Sequence, residues 1–358
     1  MANILSFIAE NGTSSDYWDG TEGYGVDLSS TTDFHNPVYF DNSTDRDNAY
    51  STRVYTSVSS WVSARASQSG NAGDDEYGVI EDTWSSAEAG FNLTALTSAD
   101  SWILRTFGNA RHSGKWSDTA YRAVTTGTSG DITSTADNFT IDGLQYSNTG
   151  ATYTGQYLFI NTYGIQGEVS NTIFDINNNA TGIRIQGQDS FSTFNLWNLL
   201  IYNSGTQGTG EGVRNANTAN VNMYNSTVYN MNDGIERDGG VFSVYNCAVG
   251  NCTDDFDGTF QDIEYCCSDD GDDTGSNGQT PSGSDWDNEF TDISTDDFSL
   301  LNTGNCYNNG QDNPGSGLYD DDITGLDRTS SWDIGAFEYD DSGPPPTGNP
   351  WYYYLLQA

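Results

Sequence analysis

The 358 residues carry 51 acidic side chains against 11 Lys and Arg, a net charge of −40, with 40 glycines, 22 tyrosines and a single lysine, Lys115. Such a charge repels phosphates and anionic lipid, which excludes nucleic acid and membrane as partners, and the scarcity of Lys, Leu and Met argues against much helix. With 13% aromatic residues the chain has too many anchors to stay unfolded, so an all-β, extracellular or virion-type protein is expected.

Residues 1–50 are rich in Asp, Ser and Tyr with weak periodicity, and read as an N-terminal strand and loop segment. The first twenty residues show no basic region and only a short apolar patch from Ile4 to Ala9. A secretory leader is therefore expected to have been removed, or to be unnecessary, as for virion proteins released by lysis. No stretch approaches the roughly 20 apolar residues of a membrane span. Residues 51–135 hold the best helix candidate, 58–65 (VSSWVSAR), followed by strands near 77–80 (YGVI) and 102–105 (WILR). This region is expected to cap the lower end of a solenoid, which would otherwise expose strand edges.

From residue 136 a repeat takes over. Five segments begin at Phe139, Gly167, Phe194, Val221 and Phe242, spaced 28, 27, 27 and 21 residues apart. Their third position is Ile141, Val169, Leu196, Met223 and Val244, and their eighth is Tyr146, Phe174, Ile201, Val228 and Val249. The fifth is Gly143 and then Asn171, Asn198, Asn225 and Asn246. Short apolar runs without a helical period point to strands, and the spacing fits one coil per repeat. An asparagine at one internal position suggests an amide ladder, each side chain bonding its copy one rung away. An antiparallel sandwich gives no reason to hold asparagine there through four units. The predicted fold is a parallel β-helix over residues 136–340, with neighbouring coils about 4.8 Å apart and an interrupting loop at 268–288.

Residues 341–358 form a Gly-Pro-Pro-Pro linker and an aromatic tail with Trp351, Tyr352, Tyr353 and Tyr354. The tail either docks on a partner subunit or adds a terminal strand to its own coil. Of five cysteines, Cys247 and Cys266 share one repeat position if a further rung runs through Ile263, and could form a disulfide or pack as small apolar groups. Buried structural cysteines are the favoured reading. An odd total leaves at least one thiol unpaired or intermolecular.

Residues 55–61 (YTSVSSW), 101–105 (SWILR) and 111–116 (RHSGKW), with Tyr121 and Arg122, resemble the opening of a group of right-handed β-helix proteins of the pectate-lyase-like superfamily. That group occurs in environmental bacteria and their phages. Residues 297–300 (DFSL) and 331–339 (SWDIGAFEY) are similar to the closing coil of many of its members. The resemblance spans most of residues 55–340. It implies a right-handed coil, and a function among polysaccharide lyases, hydrolases, adhesins and phage spikes.

A lyase would need a basic side chain to abstract a proton beside a carboxylate, usually with calcium. Arg184, Arg214 and Arg237 lie similarly placed in three consecutive repeats and could line a groove for an acidic glycan; each could equally pair with Glu211, Glu236 or Asp238. A hydrolase would need two facing carboxylates, for which Asp254, Asp255, Asp257 and Glu264 are candidates among many acids. The runs 269–273 and 320–322 offer oxygen ligands for calcium without the spacing of a defined loop, so solvated acidic loops and no cofactor are expected. Arg111 and His112 are read as cap architecture.

The expected function is a structural, surface-exposed phage virion protein (capsid decoration, fibre or spike). The resemblance implies a homo-oligomer, a trimer first, contacting other virion proteins and a surface glycan. A secreted lyase or hydrolase acting on acidic glycans is the alternative, and a bacterial adhesin or filament subunit a third reading.

Overall fold

The computed structural model describes residues 4–10, 54–66, 75–93, 101–125, 132–134, 138–148, 155–161, 164–176, 179–270, 275–315, 320–329 and 331–340. The aromatic tail expected to mediate assembly lies outside the described residues. Among them the regular secondary structure is nearly all strand, most of it in three parallel sheets that the chain visits in turn. The first sheet includes Asn138–Asp142, Gln166–Ser170, Thr193–Trp197, Asn220–Tyr224, Val241–Tyr245 and Asp262–Glu264. The second includes Gln145–Asn148, Ile173–Asp175, Leu200–Tyr202, Thr227–Tyr229, Ala248–Gly250 and Cys267–Ser268. The third includes Gln156–Ile160, Thr181–Ile185, Val213–Asn215, Asp233–Arg237 and Asp254–Gly258. Each strand pairs in parallel with the equivalent strand of the next circuit, an arrangement consistent with a parallel β-helix.

The register follows the repeat. Val169, Leu196, Met223, Val244 and Ile263 stand side by side in the first sheet, and Tyr146, Phe174, Ile201, Val228 and Val249 in the second. All belong to one continuous buried core. Each large apolar side chain removed from water in this way contributes about 1.5–3 kcal/mol. Between the two positions the chain turns a corner at Gly143, Asn171, Asn198, Asn225, Asn246 and Tyr265, where φ is +79°, +48°, +50°, +46°, +53° and +55°. Asparagine recurs there because it tolerates this left-handed conformation better than other non-glycine residues.

The first sheet also runs through the segment expected as a cap. Asp75–Ile80 and Ser101–Thr106 extend it, with Ile4–Ile8 beyond them and Val54–Tyr55 at its edge. The predicted helix forms over Val58–Ala66 and lays Val58, Trp61 and Val62 into the core. Trp61 meets Trp102 edge-on at 5.4 Å and sits over Gly78, where a β-carbon would lie 2.8 Å from its ring. The first amides of this helix, at Val58 and Ser59, donate to the carboxylate of Glu88 at 2.9 Å, which satisfies two open N–H groups and complements the helix dipole.

The upper end departs from the expected run of coils to residue 340. Regular coils end at Cys267–Ser268, and only isolated bridges from Glu264 to Ser276 and from Cys267 to Gln279 add a partial rung. The described residues between 286 and 337 instead supply side chains that lie against the outer face of the second sheet. Trp286, Phe290, Phe298, Leu300, Cys306, Ile323, Ile334, Ala336 and Phe337 form a second apolar cluster with Ile173, Leu200, Tyr202, Ala248 and Cys267. Polar side chains keep this segment irregular by bonding nearby backbone amides, as Asp285 does to Asp287, Asp297 to Ser299 and Asp322 to Thr324. The second sheet is thus buried on both faces, which fits the adjacent apolar residues of strands such as Leu200–Tyr202 and Ala248–Gly250.

Gly250 marks how close the outer layer comes, since a β-carbon there would fall 2.1 Å from the Trp286 ring. Gly250→Ala is expected to lower stability by about 1–3 kcal/mol in thermal or denaturant unfolding, as overpacking does. Adding Trp286→Leu should recover part of the loss.

Candidate functional site

The asparagine corner carries a run of buried, hydrogen-bonded amides. Asn171 donates from Nδ2 to Asp142 Oδ1 at 2.8 Å, Asn198 to Asn171 Oδ1 at 3.1 Å, and Asn246 to Asn225 Oδ1 at 3.0 Å. The run breaks between Asn198 and Asn225. There Asn198 Oδ1 accepts from Arg328 Nη2 at 3.3 Å, and Asn225 Nδ2 has no partner among the described residues. All four amides are buried. A buried amide left without partners costs about 1–3 kcal/mol, so the neighbours of this seam matter.

Those neighbours come from both sides of the repeat. Below, Arg111 grips Asp142 with two bonds of 2.7 and 3.2 Å, and His112 meets the Asn171 carbonyl at 2.8 Å. His112 Nδ1 accepts from Gly114 N–H at 3.1 Å, which assigns the proton to Nε2. Burial, aided by Arg111, pushes its pKa down to about 3, so the ring is a neutral donor. Above, Asn246 exchanges two bonds with the Gln311 backbone, at 2.7 and 2.9 Å, and its carbonyl accepts from Gly335 N–H at 2.8 Å. Ala336 N–H donates to Thr227 Oγ1 at 3.0 Å.

Arg328 is the pin of the upper half. Its guanidinium donates to the carbonyls of Asp321, Asp333 and Gly335 at 3.1, 3.3 and 3.0 Å, pairs with Glu338 at 3.4 Å and stacks on Trp332 at 5.7 Å. Burial pushes Glu338 up to about 7 despite Arg328, and also raises Asp321 and Asp322. Asp322 accepts from Thr324, Leu326 and Glu338 amides, so this member of the acidic run is committed to backbone.

The three arginines expected as one row on the third sheet are not one row. Arg184 stands beside Arg214, but the neighbour of Arg214 in the next coil is Glu236, and Arg237 pairs with Asn215. Arg237 lies 23 residues beyond Arg214 while the strands pair at a spacing of 22, and this slip of one residue moves Arg237 to the other side of the strand. Arg237 Nε then donates to the Gly240 carbonyl at 2.9 Å. Arg214 is surrounded by Glu211, Glu236 and Asp238 at 3.3, 3.2 and 2.6 Å. Burial works against its charge, but Asp238, Glu236 and Glu211 outweigh it and raise its pKa. Arg184 makes no hydrogen bond or ion pair with a described residue.

On the same face Glu211, Asp233 and Glu236 bring three carboxylate oxygens within 4.8 Å of one another. Burial raises Asp233 and pushes Glu236 up to about 7, with neighbouring carboxylates adding to the effect. An all-oxygen set fits a hard cation such as calcium, though Arg214 already supplies positive charge to two of the three. Among the hydrolase candidates, Asp255 is buried in the wall and accepts from Ser268 Oγ at 2.6 Å and Asp269 N–H at 3.1 Å. Asp254 and Asp257 extend the acidic face beyond Asp233 and Glu236, and Glu264 stands beside Tyr245 in the first sheet. Asp269 and Asp270 accept from the Asn251 and Asp255 amides, while Asp272 and Asp273 lie outside the described residues.

No family model matches the chain, and no curated protein or solved structure is significantly similar to it. Function then rests on geometry. Sequence reasoning had no signal for Arg328 or Gln311 as partners of the seam, because each reaches it from a segment without periodicity.

The raised carboxyls set a direction for pH dependence. A group whose folded pKa lies above its ordinary value stabilises the fold while protonated, and that contribution is lost as pH rises through the folded pKa. For Glu338 the window runs from its usual 4.5 to about 7, with Glu236 and Asp255 acting in the same direction. Denaturant midpoints are expected to be higher at pH 5 than at pH 8, and Glu338→Gln should flatten the profile.

Proposed function

We propose that the chain is a right-handed parallel β-helix of the pectate-lyase-like kind. It serves as a structural, surface-exposed component of a phage virion: a capsid decoration, fibre or spike. The right hand is the rule for parallel strands joined by crossovers. The observation that carries the structural reading is the fate of the basic residues. Arg111, Arg214 and Arg328 are each enclosed by carboxylates or carbonyls that hold the wall together, and Arg237 is out of register. An arginine saturated in this way makes a poor proton acceptor, because its carboxylates favour the charged form. The net charge suits a soluble exterior and disfavours nucleic acid and anionic lipid. The partners that follow are further copies of this chain, in a trimer first, other virion proteins and a surface glycan, at the virion surface or outside the cell.

The native mass of the purified chain, with and without residues 344–358, tests this reading. A stable oligomer that dissociates on truncation is the expected result, and a monomer in both forms would contradict it.

One observation favours a carbohydrate enzyme as the second reading. Glu236, held up to about 7, lies one coil from Arg214 and two from Arg184, a carboxyl poised for proton transfer near neutrality. Incubation with acidic polysaccharides decides between the two. The structural reading expects no unsaturated, ultraviolet-absorbing product. A product that disappears in Glu236→Gln and Arg184→Ala would establish the enzyme instead.

A further inference from the structure

We propose that Asn277 is a self-modifying latch. Its side-chain amide is lost by cyclisation onto the Gly278 nitrogen, and the acidic residue left behind loosens the partial rung that closes the upper end of the coils.

The partial rung repeats the corner of the coils below it. Ser276 bridges to Glu264 and Gln279 to Cys267, which sets Asn277 beside Tyr265, with left-handed φ of +58° and +55°. Four backbone bonds hold the rung. Tyr265 N–H donates to the Ser276 carbonyl at 2.9 Å and Ser276 N–H to the Ile263 carbonyl at 3.1 Å. Gln279 N–H donates to the Cys266 carbonyl at 2.8 Å and Ser268 N–H to the Gln279 carbonyl at 3.2 Å. Asn277 thus takes the place that Asn171, Asn198, Asn225 and Asn246 hold in the seam, without their surroundings. Those four are buried, bonded through their side-chain amides and followed by Thr172, Leu199, Ser226 and Cys247. Asn277 is exposed, its side chain bonds no described residue, and glycine follows it.

That difference decides the chemistry. An asparagine amide is lost when the backbone nitrogen of the next residue attacks Cγ. A side chain on the next residue hinders the approach, and a hydrogen bond from its N–H ties the nitrogen down. Gly278 has no side chain, and its N–H donates to no described residue. Rotation of the Asn277–Gly278 junction is opposed by isolated bridges and not by paired strands, so local opening is easier here than in any full coil.

The molecule carries its own control. Asn309 and Gly310 are the same two residues in sequence, but Gly310 N–H donates to the Trp332 carbonyl at 2.7 Å. Asn309 Nδ2 is shared between the Asn305 and Tyr307 carbonyls at 3.1 and 3.0 Å. Nucleophile and amide are both held. A third such pair, Asn11 and Gly12, lies outside the described residues.

The co-reactant is water. Gly278 N gives its proton to hydroxide and attacks Asn277 Cγ; the N–Cγ bond forms, the Cγ–Nδ2 bond breaks, and ammonia leaves after taking a proton from water, which restores the hydroxide. Water then adds to either carbonyl of the cyclic imide. One opening leaves aspartate and the other isoaspartate, with the main chain rerouted through the side chain, and no electrons are transferred. Isoaspartate inserts a methylene between the bridges at Ser276 and Gln279, so the two can no longer keep register together. Either product adds a negative charge to a chain already at −40.

The full-length protein, aged at mildly alkaline pH both folded and in denaturant, provides the test, read by peptide mass and by isoaspartyl methyltransferase labelling. In the folded protein, amide loss at position 277 should run several-fold faster than at 309, and in denaturant the two rates should converge. The aged fraction should melt several degrees lower. Gly278→Ala, at a position where φ is not positive, should slow the loss at 277 several-fold and keep the melting temperature of aged protein at its starting value. Asn277→Asp in fresh protein should reproduce part of the fall, which separates this event from general ageing. Equal rates at 277 and 309 in the folded protein, or an unchanged melting temperature once position 277 is converted, would overturn the proposal.

Discussion

One backbone constraint organises this molecule: the corner between the first and second sheets, taken in every coil with a left-handed residue. A left-handed corner turns the chain sharply and points its carbonyl away from the strand ladder, so each circuit leaves polar groups at the same height on the same edge. Asparagine meets both halves of the demand. It accepts the positive φ, and its amide can bond the copies above and below. The resulting seam is buried, and a buried seam needs partners from elsewhere in the chain.

Those partners explain why the two ends of the sequence look as they do. Arg111 and His112 close the seam from below, and Gln311, Arg328 and the run around Gly335 close it from above. The same C-terminal segment carries the apolar residues that cover the second sheet. Polar clamp and apolar cover are therefore one structure. A change that loosens the clamp at Asn198 or Asn246 also uncovers the second sheet, and the first and third sheets remain as the faces that meet solvent or a partner.

Much of the solenoid was legible in the sequence because its cause is periodic. The apolar third and eighth positions fall in register as the repeat requires, and the helix beginning at Val58 follows from its local pattern. The arginine row was misread because sequence spacing counts residues and not strand register. With a circuit eight residues shorter, Arg237 falls one place past the neighbour of Arg214, and one place reverses the side of the strand. The outer layer was not legible at all. Its apolar residues, such as Trp286, Phe298 and Ile334, are scattered among aspartates and glycines, and what orders them is the sheet beneath and not a local period. Arg328 was invisible for the same reason: its partners lie up to 130 residues away in sequence.

Native-state hydrogen exchange tests the central claim most directly, comparing the corner amides of Asn198, Asn225 and Asn246 with those of Gln311, Gly335 and Ala336. If seam and cover are one cooperative unit, the two sets open with the same free energy in the unaltered protein, and Arg328→Met lowers both together. If the amides of residues 311–340 exchange orders of magnitude faster while the corner amides stay protected, the outer layer is dispensable and this account of the fold is wrong.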